Sequence, residues 1–169
     1  MILGMSTAAF TSLHVIISLI GIASGIVVAI GMLSSQRLPA WTAIFLATTL
    51  LTSATGFLFH SKSFGPPHVL GVISLLVLAP TIVALYVRQL AGAWRWVYII
   101  GALFALYLNA FVGVVQGFGK IAVLHALAPN GNEPPFVIAQ LAVLAAFVWI
   151  GIAALRKFRL PAAIAPALG

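Results

Sequence analysis

"WTAIFLATTLLTSATGFLFHSKSFGPPHVLGVISLLVLAPTIVALYVR", residues 41–88, contains two apolar runs separated by a short polar break, "HSKSFGPP". Each run, 41–60 and 67–88, is close to the roughly 20 helical residues that cross the hydrocarbon core of a bilayer. A break made of Ser, Gly and two prolines cannot continue a helix, so the stretch predicts two membrane helices joined by a tight hairpin. Working outward, further apolar runs cover residues 10–33, 94–119 and 135–156. Their breaks are "SSQRLP", "RQLAGAW" and "HALAPNGNEPP", each rich in turn formers or charge. The expectation is an all-α integral membrane protein, a bundle of five transmembrane helices forming a single domain over 1–169 with a basic tail from 156 to 169.

Composition requires the same class. The 169 residues are 63% hydrophobic and 5% charged, against about 25% charged in soluble domains. With eight Lys/Arg and one acid, the chain has no charged coat for a water-facing surface, so lipid must be its main solvent. The basic residues are scattered or clustered at the chain end, without the stripe that nucleic-acid binding needs. No cysteine is present, which excludes disulfides, thiolate metal sites and iron–sulfur clusters. The first apolar run lacks a basic segment before it and is too long for a signal-peptide core, so it is expected to stay as the first helix.

Arg37, Arg88, Arg95, Arg156, Lys157 and Arg159 fall at one end of the expected helices, Lys62 and Lys120 at the other. The excess of positive charge marks the cytoplasmic side, placing the N-terminus outside and the C-terminus inside. A bacterial inner membrane suits such a compact chain.

All four histidines, His14, His60, His68 and His125, then lie at the outer end. Helical spacing puts His14, Ser18, Gly21 and Gly25 on one stripe of the first helix, and Thr49, Ser53, Gly56 and His60 on one stripe of the second. His68 and Gly71 open the third helix, and Asn109, Gly113, Gln116 and Lys120 line one face of the fourth. Small and polar stripes are expected to face each other, because polar groups avoid lipid and small residues let helices approach. A GxxxG pair such as Gly21 and Gly25 is by itself a packing signal. On the same stripe as an imidazole, it also suits a flat macrocycle lying on the helix.

Imidazole is a ligand for Fe, Cu and Zn, whereas the near absence of carboxylates argues against Ca and Mg. The expected function is therefore binding of haem b or a transition metal through these four histidines, in redox chemistry or electron transfer. Ser18, Gly21, Gly25, Ser53, Gly56, Gly71, Asn109, Gly113, Gln116 and Lys120 would line the cofactor. Glu133, the one acid, precedes two prolines and is expected to cap the last helix, with proton acceptance as the alternative role. The competing reading is an accessory or assembly subunit of a larger membrane complex, in contact with lipid, other subunits or itself. A small transporter is the weaker third reading, because five helices give no even repeat and intramembrane charge is scarce. No motif of a soluble enzyme is present.

Overall fold

The computed structural model describes residue 2 and residues 4–59 and 65–159. His60 and Lys62 lie outside the described residues. The elements are α1 (Thr7–Leu33), α2 (Pro39–Gly56), α3 (Pro66–Ile82) continued by a π-helical turn (Val83–Val87), α4 (Trp94–Lys120), a short α5 (Ala122–Leu127) and α6 (Pro134–Lys157). Among the described residues there is no strand beyond an isolated bridge between Ile2 and Met5. Local chemistry fixes the starts. Ser6 Oγ accepts the Ala9 amide at the head of α1, and α2, α3 and α6 each carry proline in the first turn, where its missing N–H costs no hydrogen bond.

Among the described residues, four helices are long and apolar enough to cross a membrane: α1, α3 with its π turn, α4 and α6. This is the fold of a multi-pass membrane protein. The second expected span is the exception. α2 has 18 residues and ends at Gly56 rather than at residue 60, and it carries Thr42, Thr48, Thr49, Thr52, Ser53 and Thr55. It is polar where the other helices are aliphatic, and it packs most extensively against α1, next against α3 and lightly against α4. α4 contacts α1, α2, α3 and α6, so it forms the axis of the bundle.

Successive long helices run in opposite directions, which gives the bundle two distinct ends. The arginine end gathers the close of α1, the start of α2, the π turn, the start of α4 and the close of α6. There Ser35 Oγ donates to the Arg159 carbonyl, and the Arg95 guanidinium donates to the Phe158 carbonyl. The apolar core belongs to this half, with Val28, Met32, Phe45, Leu46, Leu78, Ile99, Leu103, Leu106 and Phe158 packed together. Two glycines permit the close approach. A Cβ on Gly25 would run into the Leu106 side chain and lie 2.9 Å from the Phe45 ring, and one on Gly101 would collide with the Thr81 hydroxyl.

Candidate functional site

The histidine end is held by polar bonds instead of an aliphatic core, and α2 supplies most of them. Its Thr55 meets His14 of α1, its Thr52 lies 3.3 Å from Ser18 of α1, its Ser53 hydroxyl lies 2.8 Å from that of Ser74 of α3, and its Thr49 accepts from Asn109 of α4 at 3.1 Å. Buried hydroxyls away from water need such partners, so α2 can serve as the spine that three neighbours share.

The His14 contact determines which ring nitrogen carries hydrogen. Thr55 Oγ1 donates its single proton to the Leu51 carbonyl at 2.7 Å, so toward His14 it can only accept. The 2.8 Å contact is therefore Nδ1–H to Oγ1, and the lone pair of the neutral ring sits on Nε2. The Phe59 ring stands edge-on to this imidazole at 5.1 Å and packs on Phe10 from its other side.

His68 occupies the corresponding place on α3. Its Nδ1 accepts the Gly65 amide at 3.2 Å, closing the first turn of the helix, and its ring lies 5.8 Å from that of Phe57. Phe57 and Phe59 are two residues apart, so the last turn of chain after α2 touches both imidazoles. His125 is exposed on α5. Among the described residues, no three of His, Asp or Glu converge as a metal-ion group.

The expected lining residues divide. Ser18, Ser53 and Asn109 are in the interhelix network described above. Gly21 is closed off by Thr48, Thr49 and Asn109, and Gly25 by Leu106 and Phe45, so the face expected to receive a macrocycle is filled by neighbouring side chains. Gly71 lies against the Phe57 ring, 3.0 Å from where its Cβ would stand. Gly56 has nothing near it. On α4 the stripe does not stay inside: Asn109 is half-buried, whereas Gly113, Gln116 and Lys120 are exposed. Apart from Phe118, α4 loses its cover beyond residue 108, because the aliphatic core lies in the other half of the bundle. Sequence reasoning missed Thr55, Thr52 and Phe59, the residues that hold α1 to α2 around His14. The run of six hydroxyls in α2 was the available signal.

Glu133 occupies the N-cap position of α6 without capping it. The first two helical residues, Pro134 and Pro135, have no N–H to offer, so the carboxylate turns back into its loop. It accepts from the Asn130 amide at 3.0 Å, the Asn130 side chain at 2.7 Å and the Asn132 amide at 3.1 Å. Desolvation raises its pKa, but the Asn130, Glu133 and Asn132 donors together outweigh it and bring the group to about 2. A carboxylate held there is a poor proton acceptor near neutral pH.

The bundle and its two ends define a class, multi-pass membrane protein, and go no further toward a name. No family model, curated protein or solved structure matches this chain.

Proposed function

We propose that the chain binds one transition-metal centre at its histidine end, a haem iron or a Cu or Fe ion that would serve in electron transfer, or a Zn ion, which would carry no electrons. His14 would be the ligand on the described helices; His68 would join it only by releasing the Gly65 amide, whose bond takes the Nδ1 lone pair and leaves the hydrogen on Nε2, and His60, between α2 and α3 in the sequence, is a further candidate. The observation that carries this reading is the Thr55 clasp on His14. A hydrogen bond that fixes Nδ1–H and leaves Nε2 as the lone-pair nitrogen is how ligating imidazoles are generally oriented. Because Gly21 and Gly25 are filled, a haem would have to sit at the rim, outside the packed interior. In this reading α2 crosses the bilayer as a fifth span, since 18 residues give about 27 Å of helix. The arginine end faces the cytoplasm of a bacterial inner membrane and the histidines face outward.

The test is a visible spectrum of the detergent-purified protein, oxidised and dithionite-reduced, with metal analysis on the same sample. A Soret band or stoichiometric metal is expected, lost in His14→Ala and His68→Ala. Thr55→Val is expected to weaken binding by roughly 10–100-fold, the usual loss when the partner of a ligating histidine is removed. A colourless, metal-free preparation would overturn the reading. It would favour an accessory subunit, which the side-chain-filled glycine stripe independently supports, and partners would then be sought by co-purification from mild detergent.

A further inference from the structure

At the arginine end, far from the histidines, the helices enclose a cleft of about 280 Å³. Its walls come from every long element that reaches this end: Val28 and Met32 of α1, Thr42 of α2, Leu85 of the π turn, Tyr98 of α4 and Phe158 after α6. Gln36, Arg37 and Leu38, in the α1–α2 connection, form its mouth.

Three features mark it as more than a packing defect. The first is the backbone of one wall. The π turn Val83–Val87 leads into Gln89 and Leu90 at φ 49° and 61°, two consecutive non-glycine residues in the left-handed region. Such conformations cost of order 1–3 kcal/mol each and gather at ligand sites, as single π turns do. Here they bury Leu90 and turn Leu85, Tyr86 and Leu90 toward the cleft. The second is the polar wall. Thr42 and Tyr98 are 4% and 3% exposed, yet their hydroxyls stand 3.5 Å apart, well beyond the usual 2.7–2.8 Å of an O–H···O bond, so both retain bonding capacity.

The third is charge. Arg37 stands exposed at the mouth, and the single carboxylate side chain of the protein, Glu133, lies at the opposite end and is bonded to its own loop. The head of α2 beside Arg37 has no side-chain cap. Trp41 and Trp96 are exposed at the same level, and the Arg88 guanidinium lies 5.2 Å from the centre of the Trp94 ring, as befits the headgroup layer.

We propose that this cleft binds the phosphate head of an anionic amphiphile. Arg37 pairs with the phosphate, the Tyr98 and Thr42 hydroxyls donate to its ester oxygens, and the first carbons of the chain lie against Met32, Leu85 and Phe158. The site is independent of the histidine end. A cleft of this size accepts a headgroup and a short length of chain, while the remaining hydrocarbon follows the exposed aliphatic face of the bundle into the bilayer.

Thermal unfolding of the purified protein in detergent tests it, with micelles doped with phosphatidylglycerol, with phosphatidylcholine, or with inorganic phosphate alone. Phosphatidylglycerol is expected to raise Tm by several degrees and phosphatidylcholine to leave it unchanged. Arg37→Gln, a substitution at an exposed position, should keep the lipid-free Tm and lose most of the shift. Tyr98→Phe should reduce the shift, and Lys157→Gln, an exposed basic residue at the same end, should retain it. A comparable shift with inorganic phosphate alone would keep the phosphate site but assign it to a soluble ester. Equal shifts with the two lipids, or equal losses in Arg37→Gln and Lys157→Gln, would overturn the proposal in favour of generic attraction to the basic rim.

Discussion

The two halves of this bundle are held together by different forces. The arginine half is a close-packed aliphatic core in which glycines and small residues let α1, α2, α3 and α4 touch. The histidine half replaces that core with hydroxyl, amide and imidazole bonds radiating from α2, and leaves much of the last turns of α4 uncovered. In a membrane the hydrophobic effect does not drive helices together, so packing and hydrogen bonds must do it. Packing is rigid and tolerates little change, whereas a polar layer is looser and offers groups that a ligand can borrow. The division of labour places the candidate metal ligands in the looser half.

The comparison can be broken most forcefully at Gly101. Gly101→Val drives a side chain into Thr81 at the α3–α4 crossing, and a loss of about 1–3 kcal/mol or more, or failure to assemble, is expected in detergent unfolding. Gly56→Ala, at a glycine with open surroundings in the other half, should lower stability by less than about 0.5 kcal/mol or raise it slightly. If the two glycines respond alike, the contrast between halves fails.

Asn109→Leu comes next. It removes the bond to Thr49 and should cost roughly 0.6–1.7 kcal/mol, the range for interhelical bonds in membranes. Hydrogen exchange sharpens the same point without mutation: amides of 109–120 should exchange faster than those of 98–106 within one continuous helix.

The smallest effect concerns Glu133, partly exposed in the loop before α6. Its pKa is depressed to about 2 in the folded chain, so its contribution is complete above the unfolded value near 4.5 and is lost as pH falls through about 2. The Tm difference between wild type and Glu133→Gln should thus be constant from pH 7 to 5 and shrink on further acidification. A difference that grows in acid would contradict the loop geometry.

Much of this arrangement can be read from the residues, and what cannot has a physical cause. Long aliphatic runs and Pro/Gly breaks specify the helices, because lipid leaves the backbone no other solution. The stripe of His14, Ser18, Gly21 and Gly25 is equally legible as one face of α1. Its neighbours are not, since periodicity says which residues share a face and not what the face meets. Leu106 and Phe45 fill the space beside Gly25, and Thr55 reaches His14, through contacts 20 to 81 residues apart in the chain. Gln116 and Lys120 share the stripe of Asn109 yet are exposed, because a stripe is buried only as far as neighbouring helices cover it, and spacing does not encode where that cover stops. The π turn and the cleft beside it leave no mark in the hydrophobic pattern, because Val83–Val87 reads as ordinary aliphatic helix.

The way α2 uses its hydroxyls bears on how the protein is made. Thr48, Ser53 and Thr55 each donate to a carbonyl one turn back in their own helix. That internal bond is available before any neighbour arrives, so α2 can enter lipid with these hydrogens already satisfied. Thr55 then meets α1 through its acceptor lone pairs, and Thr49 meets α4 in the same way. Assembly can therefore proceed in chain order: α1 is already present when α2 enters, and α4 arrives after α3 to supply Asn109. A ribosome-bound chain truncated after α3 should hold the α1–α2 pair while leaving Thr49 without its partner.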